Sequence, residues 1–179
     1  MLGVIAGYAG GVVNTLIMRT MDVFYAFPSI LLAIAICGLL GSGIVNSILA
    51  LSIVFIPPLV RISETVTTQA RQLDFVEAAR ASGTTTMQVI RHHVLGPILV
   101  YATSLISVSM ILSAGLSFLG LGVTPPQPEW GLMLNSLRQA IYVQPYVAAL
   151  PGLMIFLTSM CFNLMSDGFR SAMDVKLNK

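Results

Sequence analysis

The chain alternates between long uncharged, apolar segments and shorter segments that carry charge. Residues 1–18, 23–60, 92–128 and 139–166 contain no Asp, Glu, Lys or Arg. A helix needs about 20 predominantly apolar residues to cross the hydrocarbon core of a bilayer. The pattern therefore predicts membrane-spanning helices joined by charged loops.

The segment 23–60 is too long for a single span, and its middle holds Gly38, Gly41, Ser42 and Gly43. It therefore predicts a helical hairpin, while each of the later two segments predicts one span. The predicted spans lie at about 26–40, 44–60, 98–119 and 147–165. The predicted fold class is all-α: a polytopic helical membrane protein with four complete spans, preceded by the end of another.

The apolar N-terminal piece, residues 1–18, has no basic region before it and no cleavage site after a short apolar run, so it does not read as a signal peptide. Gly3, Gly7 and Gly11 are spaced four residues apart. Such a stripe of small residues lets two membrane helices approach closely. The alternative is a flexible, glycine-rich start.

The composition agrees with this interpretation. Hydrophobic residues make up 56% of the chain, charged residues 9%, and the mean hydropathy is +0.88. Soluble domains carry about 25% charged residues, so a soluble globular enzyme is excluded. A nucleic-acid partner is not expected either, because it requires a dense basic patch.

The basic residues predict the orientation. With four spans, eight of the nine Lys and Arg residues fall on one side of the membrane, and Arg138 alone falls on the other. Because basic residues accumulate on the cytoplasmic side, the 61–97 loop and the C-terminus are expected to be cytoplasmic. The segment 120–146 is expected outside.

The predicted spans lack the groups that catalysis or ion coupling requires. They contain no Asp, Glu, Lys, Arg or His, and Cys37 and Cys161 are interpreted as small core residues. His92 and His93 are adjacent, and adjacent residues do not face each other on a helix. No metal site and no cofactor are predicted, so the energy for any transport must come from a partner.

The long cytoplasmic loop, residues 61–97, has the signals of two short helices around a glycine turn. Residues 61–73 can continue the preceding span as a helix, and Asp74 to Glu77 resembles a capping box. Gly83 is placed to end the helix that follows, with φ above zero. Thr85 to Gln88 repeats the capping pattern before a second helix that runs to about Leu95. This unit is predicted either to dock into a groove of a partner or to be a solvated hairpin.

Within this loop, Glu77-Ala78-Ala79-x-x-x-Gly83 resembles the EAA motif of ABC-importer permeases. Further stretches resemble the C-subunit type of the dipeptide, oligopeptide and nickel permeases, in the same order along the chain. They include Gly7-Tyr8-Ala9-Gly10-Gly11, Arg19-Thr20-Met21-Asp22, Ala26-Phe27-Pro28-Ser29, Pro57-Pro58, Ser117-Phe118-Leu119-Gly120-Leu121-Gly122, Pro128-x-Trp130-Gly131 and Asp167-Gly168-x-Arg170.

The resemblance implies that the Glu77–Gly83 helix is a coupling helix seated in a cleft of an ATPase subunit, with Glu77, Ala78, Ala79 and Gly83 as the coupling residues. It implies that Trp130 and Gly131 lie where a solute-binding protein docks. The implied partners are a homologous second permease, two ATPase subunits, the extracytoplasmic binding protein and membrane lipid. The implied location is the bacterial inner membrane.

Two departures from the family are visible. The family usually has Leu-Pro-Asn where this chain has Leu95-Gly96-Pro97. The family also has six spans, and this chain is expected to begin late in the second. Residues 1–179 are predicted to form a single transmembrane permease domain that contains the 61–97 coupling loop.

The function predicted from these observations is that of a permease subunit of an ATP-driven importer for peptides or related small solutes. The chain itself has no G-x-x-x-x-G-K-[ST] nucleotide-binding loop and is not expected to be an enzyme. The alternatives are a truncated, non-transporting membrane scaffold and an intramembrane enzyme. The polar residues Ser107, Ser109, Ser113 and Asn163 are candidates for lining a pathway, although such residues more often pack helices together.

Overall fold

The computed structural model describes residues 1–74, 76, 78, 82–90 and 94–177. These residues form helices and connecting turns, with no β-strand among them, so the all-α prediction is confirmed. The α-helices are α1 (Leu2–Ala9), α2 (Gly11–Tyr25), α3 (Ser29–Leu40), α4 (Ile44–Arg71), α5 (Thr86–Val89), α6 (Leu95–Phe118), α7 (Trp130–Ser136) and α8 (Pro145–Leu177); a 3₁₀ helix covers Arg138–Tyr142.

The chain divides into two compact units. Unit 1 contains residues 1–26, 56–103 and 166–179, and unit 2 contains residues 27–55 and 104–165. Unit 1 holds eight of the nine basic residues, and unit 2 holds Arg138.

In the described part of the chain, three helices are long and apolar enough to cross a membrane: α4, α6 and α8. They contain the last three predicted spans. The first predicted span is the 12-residue helix α3, which at 1.5 Å per residue is only about 18 Å long. It reaches the required length only together with α2, and the two helices are bent by 80°. By length and composition, the described residues therefore contain three candidate spans, or four if the bent pair is one span.

The bend follows from Pro28, which separates α2 from α3. Proline has no N–H for the helix ladder and disfavours helical backbone in the residue before it. Accordingly α2 ends at Tyr25 and α3 begins at Ser29.

In unit 1, α1 packs closely on α4 through two of the three glycines of the N-terminal stripe. A Cβ placed on Gly3 would lie 2.6 Å from Ser63 Cβ, and one on Gly7 would lie 2.6 Å from the carbonyl oxygen of Glu64. The prediction fails for Gly11, where a Cβ would meet nothing within 4 Å. The chain turns at Gly10 and Gly11, which both have positive φ, so Gly11 leaves the face of α1.

In unit 2, a turn at residues 41–43 joins α3 to α4 as predicted, although α3 alone is shorter than the predicted span. Helix α3 ends at Gly41, whose φ is +89°, and the Asn46 carboxamide donates to the carbonyl oxygens of Leu40 and Gly41 at 2.9 and 3.0 Å. The buried core of this unit comprises Ala33, Cys37, Ala50, Leu51, Val54 and Leu116. Cys37 is thus a core residue as predicted, whereas Cys161 is exposed and the prediction for it is wrong.

Helix α6 begins earlier than predicted. Gly96 and Pro97 lie in its first turn instead of preceding it, where a proline is tolerated because its fixed φ suits the start of a helix. Most of the large apolar side chains of α8 and several of those of α6 are exposed, among them Ile111, Phe156 and Leu164. Such outward-facing apolar helices are expected of a chain whose surroundings are lipid or other membrane helices.

Candidate coupling site

The predicted coupling loop begins on a helical stem, because α4 continues without interruption from its apolar part to Arg71. After the stem, the backbone N–H of Ser82 donates to the carbonyl oxygen of Ala78 at 3.1 Å, and the Ser82 hydroxyl donates to the same oxygen at 3.0 Å. This is the i to i−4 bond of an α-helix. Gly83 follows with φ of +89°, so the predicted left-handed turn is confirmed.

Buried valines hold the loop, while its turn is exposed. Val76, Val89 and Val94 expose 1%, 6% and 1% of their surface. Ala78 and Gly83 are exposed, and a Cβ on Gly83 would meet nothing within 4 Å. Within the described part of this chain, buried valines therefore hold the loop in place while its turn is exposed. A docking element requires this combination.

Of the four coupling residues predicted from the sequence, the structure describes two. Ala78 and Gly83 lie on the same exposed turn, whereas Glu77 and Ala79 lie outside the described residues, as does the Glu77 half of the predicted capping box. His92 and His93 also lie outside them.

The second capping pattern is present. The backbone N–H of Thr85 donates to Gln88 Oε1 at 3.0 Å, and the Thr85 hydroxyl donates to the same oxygen at 3.1 Å. This is the reach-back half of a capping box, and it starts α5. The Met87 side chain of α5 is 70% exposed. Nothing in the sequence pattern singled out this residue, although a methionine after a cap signal is a suitable adaptable contact for a partner.

The polar part of α4 is tied to α2 by two side-chain contacts that the sequence did not predict. Asn14 Nδ2 donates to Glu64 Oε1 at 2.7 Å. Farther along α2, Asp22 Oδ1 accepts from Arg61 Nη2 at 2.6 Å, and the Arg61 guanidinium lies 4.9 Å from the centre of the Tyr25 ring.

The stem is also fixed to α1, since Arg71 Nη1 donates to the carbonyl oxygen of Tyr8 at 2.8 Å. Ion pairs as exposed as Arg61 and Asp22 contribute only about 0–1 kcal/mol in water. These contacts are therefore better understood as fixing the register of α1 and α2 on the stem than as the source of its stability.

At the other predicted partner surface, residues 119–129 are not helical, as their prolines predict. The Glu129 carboxylate accepts from the backbone N–H of Leu132 at 2.8 Å and caps α7. Trp130 exposes 36% of its surface. Gly131 is buried, and a Cβ there would lie 2.6 Å from Ala114 Cα, so this glycine lets α7 lie directly on α6.

The described residues contain no group of three or more His, Cys, Asp or Glu side chains that could hold a metal ion. The described residues instead present two structural features suited to contact with a partner. One is an exposed turn on a fixed stem, and the other is a capped helix that carries an exposed tryptophan.

Comparison with known proteins identifies the family. The model of the family described as "Binding-protein-dependent transport system inner membrane component" matches residues 1–179. The chain belongs to this family. The confirmed family is the one that the motifs around Glu77–Gly83 and Trp130 had indicated.

Two curated relatives of this inner membrane component are named "Glutathione transport system permease protein GsiD". The protein from Pectobacterium atrosepticum is 44% identical over 180 residues, which cover 98% of this chain and 60% of the relative. The protein from Escherichia coli O6:K15:H31 is 47% identical over 174 residues, which cover 95% of this chain and 57% of the relative. This chain thus spans about 57–60% of the length of these relatives.

Family membership and the apolar helices together establish a multi-pass inner membrane protein of the permease type.

The candidate pathway residues are not equivalent in the structure. Ser107 is buried and donates to the carbonyl oxygen of Ser159 at 3.0 Å, so it packs α6 against α8. Ser109 is bonded within its own helix to the carbonyl oxygen of Ile106. Asn163 is exposed and lines a cavity.

Proposed function

We propose that this chain acts as a permease subunit of an ATP-driven ABC importer and forms part of the translocation pathway for peptides or related small solutes. Its family consists of membrane components of binding-protein-dependent transport systems. Relatives that are 44–47% identical over the aligned residues are named as glutathione transport permeases, and glutathione is a small peptide. The whole chain, residues 1–179, acts as one transmembrane permease domain, with residues 61–97 as its coupling loop.

The observation that carries the proposal is the Gly83 turn, which is exposed on a stem that three contacts fix to α1 and α2. In this proposal, an ATPase subunit binds this turn and also contacts Glu77 and Ala79. When the subunit moves, α4 moves with it. Because the stem is continuous with an apolar helix long enough to cross the membrane, that movement reaches the pathway. ATP is bound and hydrolysed by the two ATPase subunits and not by this chain, whose sequence lacks a phosphate-binding loop.

The loop and the C-terminus face the cytoplasm in this proposal. Support comes from the charges, because unit 1 contains both segments and eight of the nine basic residues. Positive charge collects on the cytoplasmic side of membrane proteins. The ATPases are therefore on the side where ATP is available.

An extracytoplasmic solute-binding protein docks on the segment around Trp130. The partly exposed indole offers a flat contact of the kind that dominates protein interfaces. Buried Gly131 acts indirectly, by seating α7 on α6 so that Trp130 is held in place. A homologous second permease completes the pathway.

The test is reconstitution of the chain with its homologous permease, the ATPases and the binding protein in lipid vesicles, followed by uptake of radiolabelled glutathione and alanyl-alanine. We expect ATP-dependent uptake of at least one of them, and ATPase activity that the loaded binding protein stimulates. In Trp130→Ala, the stimulated activity should fall while the basal activity is retained.

Stable assembly of the complex without uptake of either peptide would contradict the importer proposal and favour a non-transporting scaffold. Equal loss of basal and stimulated ATPase activity in Trp130→Ala would contradict the docking role alone.

A further inference from the structure

Unit 2 contains a cavity of about 460 Å³ that is open on one side and is lined by seven residues of α8 and by Ile111 of α6. Its walls are largely apolar and include Ile111, Ile155, Phe156 and Leu164, and its hydrogen-bonding side chains are Ser159 and Asn163. All of its lining residues are described, and none of them is charged. Small-molecule sites in proteins have this size and this combination of apolar walls with a few polar groups.

Ser159 has a hydroxyl that the fold leaves unused. The residue is only 6% exposed, and its Oγ is buried without a hydrogen-bond partner in the part of the chain that the structure describes. A buried hydroxyl without a partner costs free energy. Alanine at this position would remove the cost and retain the packing, so packing among the described residues does not account for the hydroxyl.

Asn163 lies four residues farther along α8 and therefore on the same face of the helix as Ser159. Its side chain is exposed although it belongs to a predicted membrane span. A carboxamide facing lipid would lose its hydrogen bonds to water. Asn163 is exposed at this cavity, whereas the Ser159 Oγ is fully buried in the observed rotamer and reaches the cavity only by rotation about χ1. An occupant with hydrogen-bonding groups would partner both side chains.

The chemistry of the two side chains restricts that occupant. A hydroxyl and a carboxamide both donate and accept hydrogen bonds but carry no charge. A peptide amide offers one N–H donor and one C=O acceptor, and it is also uncharged. The carboxylate of a solute, by contrast, would find no cationic partner among the residues that line the cavity.

We propose that this cavity is a solute contact of the translocation pathway, in which Ser159 and Asn163 hydrogen-bond a peptide amide of the passing solute. Ser159 accepts from the amide N–H after a change of its χ1 rotamer, and Asn163 donates to the amide C=O. The proposal rests on the proposed function, because it requires peptides to pass through the permease.

The test compares two solutes that differ in one group. Alanyl-lactate is alanyl-alanine with an ester oxygen in place of the amide N–H, so it cannot donate to Ser159. Uptake of both is measured with the reconstituted wild-type complex and with Ser159→Ala. Since the same binding protein delivers both solutes to both complexes, its own preference cancels in the comparison.

We expect Ser159→Ala to assemble as well as the wild type and to reduce the preference for the amide by about 2- to 10-fold, the range of one neutral hydrogen bond. The matched control is Ser107→Ala, on the facing helix, whose hydroxyl is already bonded to Ser159 O. It should reduce assembly or stability and leave the preference unchanged.

A second measurement does not depend on Ser159. Asn163→Cys is introduced into a chain whose own cysteines, Cys37 and Cys161, are replaced by alanine, and its alkylation by N-ethylmaleimide is timed. Saturating alanyl-alanine, delivered with ATP turnover, should slow the alkylation.

The outcomes separate this proposal from the one on which it rests. If the wild-type complex takes up neither alanyl-alanine nor glutathione, both proposals fail. If uptake is normal but Ser159→Ala keeps the full amide preference and alkylation is not slowed, the cavity is not a solute contact. Loss of permease pairing with an unchanged preference would assign the cavity to the partner permease and overturn the proposal.

Discussion

Single glycines determine the backbone geometry at the coupling turn and at two close helix contacts of this chain. Gly83 has φ of +89° with free space around its Cα, so its role is conformational. Gly7 and Gly131 lie against the backbone of neighbouring helices, so their role is to be small. The same residue type thus serves two physical purposes, and only the surroundings of each position tell them apart.

The conformational role of Gly83 can be tested by two substitutions that differ in tolerance of the left-handed region. A β-branched valine is a genuine outlier there, with strain of about 1–3 kcal/mol, whereas asparagine is tolerated. We expect Gly83→Val to retain membrane insertion and permease pairing but to lose uptake and to co-purify less ATPase. Gly83→Asn should retain both uptake and ATPase co-purification.

Co-purification from detergent extracts, with uptake in vesicles, provides the measurement. Wild-type uptake and ATPase recovery in Gly83→Val would refute the coupling role of the turn. If Gly83→Asn loses as much as Gly83→Val, the surface of the turn matters more than its backbone conformation.

At the scale of elements, the stem α4 is the component that links the loop to the rest of unit 1. It receives α1 through close backbone contact at Gly3 and Gly7, and α2 through the Asn14–Glu64 and Asp22–Arg61 contacts. A displacement of the loop is therefore expected to carry α1 and α2 with it. This expectation depends on α1 lying directly on the stem.

Gly7→Ala should disturb that packing, because the added Cβ would lie 2.6 Å from Glu64 O and 2.8 Å from Thr67 Cβ. Overpacking of this kind costs about 1–3 kcal/mol. The matched control is Gly168→Ala on α8, where a Cβ meets nothing within 4 Å and alanine is the better helix former. We expect a lower midpoint of thermal unfolding in detergent for Gly7→Ala and an unchanged or higher midpoint for Gly168→Ala. Similar midpoints in both variants would show that α1 does not rest on α4.

At the scale of the whole molecule, orientation in the membrane is the property on which the proposed partners depend. The coupling turn must face the ATPases, and the segment around Trp130 must face the binding protein. The distribution of basic residues between the two units favours this arrangement.

Cysteine accessibility tests the orientation. In a chain lacking Cys37 and Cys161, the exposed residues Ser82 and Tyr142 are replaced one at a time by cysteine. In intact cells whose outer membrane is permeable to the reagent, a membrane-impermeant maleimide should label Tyr142→Cys at once, but Ser82→Cys only after the inner membrane is disrupted. Labelling of both variants in intact cells would contradict the four-span orientation.

Several features of this molecule could be predicted from the sequence alone: three long helices, the local turn geometry and the family. The charge-free segments predicted α4, α6 and α8, because an apolar helix of sufficient length is specified by local composition. The positive φ of Gly83 and the cap at Thr85 followed from local backbone chemistry, which acts over four or five residues. The ordered motifs gave the family, which the match over residues 1–179 confirmed.

Tertiary structure decided what depends on residues distant in sequence. The 80° bend between α2 and α3 left the first predicted span incomplete, and the turn at Gly10 removed Gly11 from the packing face. The Asn14–Glu64 contact joins residues 50 positions apart, which no local pattern specifies. The Ser159 hydroxyl, which has no hydrogen-bond partner among the described residues, was equally unpredictable from the sequence, since a serine in an apolar helix acquires or lacks a partner only when another helix packs beside it.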